Sequence, residues 1–127
     1  MSFNNLILRL VQRPAMYIGD EIKLESIMHY LNGCLGARKS LNALEPFEVV
    51  FMGCFTKYIS EKYDIIITNE NAKNNKLKYW CHVITANSKD EADALKLFYD
   101  LYNEFYEMYE NGIFDDFYNK YLSGLPH

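Results

Sequence analysis

The sequence is poor in residues that build covalent frameworks or cross membranes. Its 127 residues include three Cys, three Pro and one Trp, and no apolar run approaches the roughly 20 residues of a membrane-spanning helix. The first residues carry no basic segment, so we expect no signal peptide. Cys34, Cys54 and Cys81 are odd in number and lie within apolar patterns, which favours reduced core thiols. These absences predict a cytoplasmic protein without a membrane partner.

Motifs that carry catalysis or hold cofactors are also missing. The sequence contains no His-x-x-x-His or Cys-x-x-Cys pair, no Gly-x-Ser-x-Gly elbow and no Gly-x-x-x-x-Gly-Lys loop. His29 and Cys34 are the nearest candidate base and nucleophile, but a separation of five residues puts them on different faces of a helix. We therefore predict no catalytic residue, no metal and no cofactor, and expect that the protein is not an enzyme.

Apolar and aromatic residues are plentiful, by contrast. Hydrophobic residues make up 50% of the chain, and 11 Tyr and 8 Phe give it an unusual aromatic content. A chain of this length buries roughly two-thirds of its unfolded surface as one domain, so we predict a single domain over residues 1–127. Tyr adds apolar area while its hydroxyl stays hydrated, which suits a small core with an adhesive rim.

Charge is distributed unevenly along the chain. The formal net charge is −4, yet residues 88–127 alone carry three Lys against nine Asp and Glu, a balance of −6. Residues 1–87 carry a balance of +2. A nucleic-acid-binding surface would have the opposite sign, so we expect no direct contact with nucleic acid. The asymmetry indicates either a basic protein partner or a well-solvated surface.

The spacing of apolar residues predicts an all-α fold, a compact bundle of five or six helices. Helical periods cover residues 4–12, 22–40, 45–63, 88–111 and, more briefly, 113–122. Residues 64–68 and 79–84 are open between strand and helix, and we favour a helix for the second. Gly33 and Gly36 interrupt the second helix, and we interpret them as positions where another helix approaches closely.

The stretch between the first two helices has a distinctive order of residue types. Pro14 lacks an N–H group and ends the preceding helix, and Gly19-Asp20 supplies a turn. Met16, Tyr17 and Ile18 stand between them. We predict that these three side chains form a buried plug.

The helix over residues 88–111 contains the candidate binding residues. Ser88 and Glu91 form a capping-box pattern at its start, and Asn111-Gly112 supplies a stop signal. Four carboxylates share one stripe opposite the apolar face, and tyrosines flank them. The predicted partner-binding residues are Asp93, Asp100, Glu104, Glu107, Tyr99 and Tyr106.

Several of these features resemble known sequences. Arg13-Pro14-Ala15-Met16-Tyr17-Ile18-Gly19 looks like a segment of the ATPase domain of type II topoisomerases, but the Asp-x-Gly-x-Gly loop of that family is missing here. Taken with Leu31-Asn32-Gly33, Trp80 and the acidic helix over 90–105, the stretch is similar to cytoplasmic immunity proteins of bacterial contact-dependent growth inhibition and other polymorphic toxin systems. Ala15 stands where those proteins usually have Gly.

The second resemblance implies a function. An immunity protein, or antitoxin, binds a cognate toxin domain and covers its active site, and an acidic surface suits a basic nuclease as the target. The alternative is a small helical regulatory or scaffolding protein with no toxin partner. The oligomeric state stays open in both cases.

Overall fold

The computed structural model describes residues 2–65 and 79–125, and within them the chain forms seven α-helices and no β-strand. The all-α prediction is therefore confirmed, and the expected number of helices is close. The helices are α1 (Phe3–Gln12), α2 (Ala15–Ile18), α3 (Leu24–Ser40), α4 (Pro46–Lys62), α5 (Trp80–Ala86), α6 (Glu91–Glu110) and α7 (Asp115–Ser123).

Local sequence accounts for the ends of the long helices. The Ser2 hydroxyl accepts a hydrogen bond from the backbone N–H of Asn5 and so caps α1. Pro46 occupies the first turn of α4, where its missing N–H costs nothing. The Glu48 carboxylate folds back to accept from the N–H of Glu45 at 3.1 Å, the reciprocal half of a capping box.

The two ambiguous segments have different outcomes. Residues 80–86 form α5, so the helix favoured near residues 79–84 is confirmed. Of residues 64–68, the structure describes only the first two, and neither belongs to a helix or strand. Asp64 adopts a left-handed φ of 52° just after α4. The rest of that segment lies outside the described residues.

Aromatic rings fill the core around α4, which contacts α5, α6 and α7. The ring of Phe105 lies within 6.1 Å, centroid to centroid, of four rings that α4 contributes, and 4.7 Å from Phe114. Trp80 stacks on Phe98 at 5.1 Å and meets Phe55 edge-on at 5.0 Å. Helices α3 and α6 both pack on α5, α1 packs on α6, and α2 packs on α3. One cluster of buried side chains thus joins the bundle.

The start of α6 differs from the prediction. The capping residue is Asp90, whose carboxylate accepts from the N–H of Asp93 at 2.8 Å. Ser88 instead donates its hydroxyl to the Ile84 carbonyl at 2.7 Å, as part of the end of α5. Glu91 caps a different helix, because its carboxylate accepts from the N–H of Leu24 at 3.1 Å. The predicted capping residue, Ser88, is therefore wrong by two positions, and the capping-box pattern did not predict the link between α3 and α6.

The interpretation of the glycines in α3 is also wrong. Gly33 and Gly36 are exposed, and a Cβ at either position would meet nothing within 4 Å. Gly53 in α4 is the position of close approach. A Cβ there would lie 2.1 Å from Cζ of Phe117, so the ring of α7 rests directly on the backbone of α4.

The predicted plug is not buried. Met16 is 71% exposed, and Tyr17 and Ile18 are only half-buried. The stretch forms the single turn α2, held by a bond from Ile18 N–H to the Pro14 carbonyl and ended by Gly19 at φ 85°. Tyr17 packs edge-on against Tyr30 of α3 at 5.7 Å. The turn lies on the surface of the bundle because only one side of it faces apolar side chains.

The described helices include none with the length and apolar character needed to span a bilayer.

Candidate functional site

One face of α6 packs into the core, and this packing determines which side chains face outward. Phe98, Leu101, Tyr102 and Phe105 are almost completely buried. The Tyr102 hydroxyl also donates a hydrogen bond to the Asn4 side chain of α1. Side chains on the outer face therefore project from a helix that is held along most of its length.

The four predicted carboxylates share the outer face but differ in what they do. Helical spacing places Asp93, Asp100, Glu104 and Glu107 within roughly 60° of arc. Asp100, Glu104 and Glu107 are exposed. Asp93 is half-buried, and its carboxylate accepts from the N–H of Lys89 at 2.9 Å. That residue therefore contributes to the local structure at the start of α6.

Glu104 is partly neutralised by a lysine of α4. Both of its carboxylate oxygens accept from Nζ of Lys62, at 2.7 and 3.0 Å. The hydrogen bond from this ammonium lowers the pKa of the Glu104 carboxyl below its ordinary value. Both side chains remain close to half exposed, so water screens the pair. The pair ties α4 to α6 and reduces the negative potential at this point of the stripe.

Asp100 and Glu107 are the exposed carboxylates of the row without a partner in the described part of the chain. Within residues 2–65 and 79–125, neither side chain has an ion pair or hydrogen bond. Seven residues separate them, about 10 Å along the helix axis. They bracket Glu104 in one row of acidic groups.

The two predicted tyrosine anchors lie beside the stripe and belong in part to the core. Tyr99 and Tyr106 are half-buried and pack against the central cluster. The ring of Tyr106 meets Phe47 edge-on at 4.8 Å. Helical spacing puts both tyrosines about 80–120° around α6 from Asp100 and Glu107. The structure therefore brings the carboxylates together and places the tyrosines on the flank of their row.

One charged residue in the core escaped the sequence analysis. Glu48 is fully buried, and one of its carboxylate oxygens accepts from Nη1 of Arg38 at 2.6 Å. The same oxygen accepts from the N–H of Glu45, which gives the carboxylate a capping role. The spacing of Glu45-Pro46 and Glu48 is the signal that could have revealed it. The pair joins the end of α3 to the start of α4.

A second group of titratable side chains lies where α3 meets α5. The Glu25 carboxylate lies 3.6 Å from Nε2 of His29 and 3.5 Å from Nε2 of His82. Nδ1 of His82 accepts from the backbone N–H of Tyr79 at 3.2 Å, which orients the imidazole. Across the part of the chain that the structure describes, no three His, Cys, Asp or Glu side chains converge as metal ligands would.

The cysteines have the environment of structural residues. Cys54 and Cys81 are buried, Cys34 is half-buried, and all three are free thiols. Burial raises the pKa of Cys81 to about 12 and also raises the pKa of Cys54. Because the thiolate is the nucleophile, these shifts lower the nucleophilicity of the two buried thiols at neutral pH.

Comparison of the chain with protein-family models, with curated protein sequences and with solved structures gives no match.

Proposed function

We propose that the protein is an immunity protein, which binds a basic toxin domain through the exposed carboxylates of α6 and thereby blocks the active site of that domain. The observation that carries the proposal is the row formed by Asp100, Glu104 and Glu107, in which the first and last residues have no partner among the described residues. We propose the cytoplasm as its place of action and a nuclease as its target.

Rigidity of the row supports a binding role. The opposite face of α6 is buried along about three turns, so the backbone that carries the carboxylates loses little conformational freedom when a partner docks. Preorganisation of this kind reduces the entropic cost of association. The row is also part of the most acidic third of the chain, where residues 88–127 carry a balance of −6. A field of that sign accelerates the approach of a cationic protein.

The chemistry of a nuclease favours this kind of inhibitor. A nuclease binds phosphodiesters in a cleft lined by Lys and Arg, because phosphate contacts dominate its affinity for nucleic acid. Carboxylates spaced along a helix present anionic oxygens to the same cations. The proposed complex therefore needs no catalytic group on the inhibitor.

The test is protection of growing cells. The proposal predicts a toxin domain encoded in a neighbouring gene, and this domain is expressed with either the parent protein or the charge-reversed variant Asp100→Lys, Glu107→Lys. A control is Asp20→Lys, Glu61→Lys, which changes the net charge equally at exposed positions outside α6. We expect the parent and the control to protect, and the α6 variant to lose protection while its circular dichroism spectrum is unchanged.

Two outcomes would contradict the proposal. Equal protection by the α6 variant would show that this row is not the binding surface. A gene neighbourhood without a toxin domain, together with failure to protect against basic nuclease domains, would favour a regulatory or scaffolding protein instead.

A further inference from the structure

A cationic cavity lies beside α2, on residues that the proposed function does not use. It has a volume of about 300 Å³ and is lined by Arg9, Gln12, Arg13, Met16 and Tyr17. Its volume is near the lower end of the range of ligand pockets, about 300 to 1,000 Å³. No acidic side chain contributes to the lining. In a chain of net charge −4, the cavity is a local region of opposite sign.

The choice of arginine at this cavity is specific. The chain has ten Lys but only three Arg, and two of those three line this one cavity. The third, Arg38, pairs with the buried Glu48. Arginine differs from lysine in its planar fork of N–H donors, which matches the oxygens of carboxylates and phosphates. Within the described ranges, neither Arg9 nor Arg13 has an ion pair or a side-chain hydrogen bond.

The wall of the cavity is held in place by the local sequence. Pro14 starts the single turn α2, and N–H groups of this turn bond back to the carbonyls of Arg13 and Pro14. Gly19 ends the turn at φ 85°, a conformation that side chains other than glycine rarely adopt. The contact between Tyr17 and Tyr30 fixes the turn against α3. The backbone of Met16 is therefore held in place, although its side chain is exposed.

We propose that this cavity binds a phosphate monoester that carries a small apolar or aromatic group. Two guanidinium charges without carboxylate partners match a phosphate monoester, which is close to a dianion above its second pKa of about 6. A carboxylate would neutralise only one of them. Met16 and Tyr17 form the apolar wall against which the organic group of the ester lies, and the Gln12 amide supplies a neutral donor at the rim.

Calorimetric titration with phenyl phosphate tests the proposal, with benzoate and inorganic phosphate as comparison ligands. The parent protein should bind phenyl phosphate at a single site, and it should bind benzoate and inorganic phosphate more weakly. The double variant Arg9→Gln, Arg13→Gln should weaken phenyl phosphate roughly ten-fold or more, since each charge-assisted bond contributes about 1.5 kcal/mol or more. Lys57→Gln is a control for the loss of an exposed positive charge outside the cavity.

The pH dependence provides a second readout. Arginine stays charged, so affinity for phenyl phosphate should fall as the pH is lowered through about 6 and the ligand becomes a monoanion. The absence of saturable binding at about 10 mM ligand, which corresponds to an affinity weaker than about 3 kcal/mol, would overturn the proposal. So would equal loss of affinity in Lys57→Gln and the double arginine variant, or binding that does not change with pH.

Discussion

Replacing Gly53 by Ala tests how α7 is attached to the bundle. In the interior of an exposed helix, Gly→Ala stabilises a protein by roughly 0.5–1 kcal/mol, because alanine restricts the unfolded chain. At Gly53 the added Cβ would lie 2.1 Å from Cζ and 2.7 Å from Cε1 of Phe117. The ring of Phe117 must move, because the added Cβ is attached directly to the backbone of α4 and cannot give way.

The expected magnitude follows from the burial of Phe117. Full burial of a Phe side chain contributes about 1.5–3 kcal/mol, and this ring is already 36% exposed. Its displacement should cost about 1–2 kcal/mol, which offsets the gain in helix propensity of about 1 kcal/mol. Gly53→Ala should therefore be neutral or destabilising by up to about 1 kcal/mol.

Gly33→Ala and Gly36→Ala are matched controls in α3. Nothing lies within 4 Å of a Cβ at either position, so both should stabilise the protein by roughly 0.5–1 kcal/mol. Urea denaturation measures all three, and hydrogen exchange reports whether α7 opens first in Gly53→Ala. In a Phe117→Ala background, Gly53→Ala should lose most of its destabilising effect. If Gly53→Ala stabilised the protein as much as Gly33→Ala or Gly36→Ala does, the position of the Phe117 ring on Gly53 would be contradicted.

Three further predictions concern the core, a cap and the thiols. Phe105→Ala should destabilise the protein by about 3–5 kcal/mol in denaturant melts, because its ring contacts aromatic residues of α4 and Phe114; a loss below about 1 kcal/mol would contradict the central position of this ring. Asp90→Ala should cost about 1 kcal/mol and reduce helix content at the start of α6, whereas an equal effect confined to Ser88→Ala would restore the cap read from the sequence. The Cys81 thiol has a folded pKa of about 12 against about 8.5 unfolded, so it contributes stability below pH 8.5 that is lost as pH rises towards 12. Denaturant melts between these pH values should show a smaller loss of stability in Cys81→Ala than in the parent, and identical slopes would contradict the shift.

Regular periodicity made the long helices predictable. In α4 the apolar residues recur at helical spacing from Phe47 to Ile59, and the helix observed there ends within one residue of the predicted position. In α6 the pattern fixed the buried face and the row of carboxylates. These patterns are local, and a long amphipathic helix has few alternative ways to bury its apolar face.

Features that depend on contacts between distant residues were not predictable in this way. Ser88 and Asp90 are both good capping residues, and only the packed ends of α5 and α6 decide between them. Gly53 looks like the glycines of α3 until Phe117 is placed on it. Met16 is apolar, but the turn that contains it has only one side against the bundle.

The candidate site shows the same division. Its carboxylates could be assigned to one face from spacing alone, and the exposure of Asp100 and Glu107 agrees with that assignment. The pairing of Glu104 with Lys62 could not be foreseen, because 42 residues separate them. Helix spacing could have shown that the two tyrosines lie to the side of the carboxylates, but not that Tyr106 packs on Phe47.

We propose that the acidic row of α6 is the binding surface for a basic toxin. The most direct test is the association rate constant with the toxin domain expected in a neighbouring gene, inactivated in its catalytic residue and measured by stopped flow. Salt is raised from about 0.01 M to about 1 M, which shortens the Debye length from about 30 Å to about 3 Å. We expect an association rate that falls steeply with salt, and a rate for Asp100→Lys, Glu107→Lys that is at least ten-fold lower at low salt. An association rate that is unaffected by both the salt and the two substitutions would contradict it.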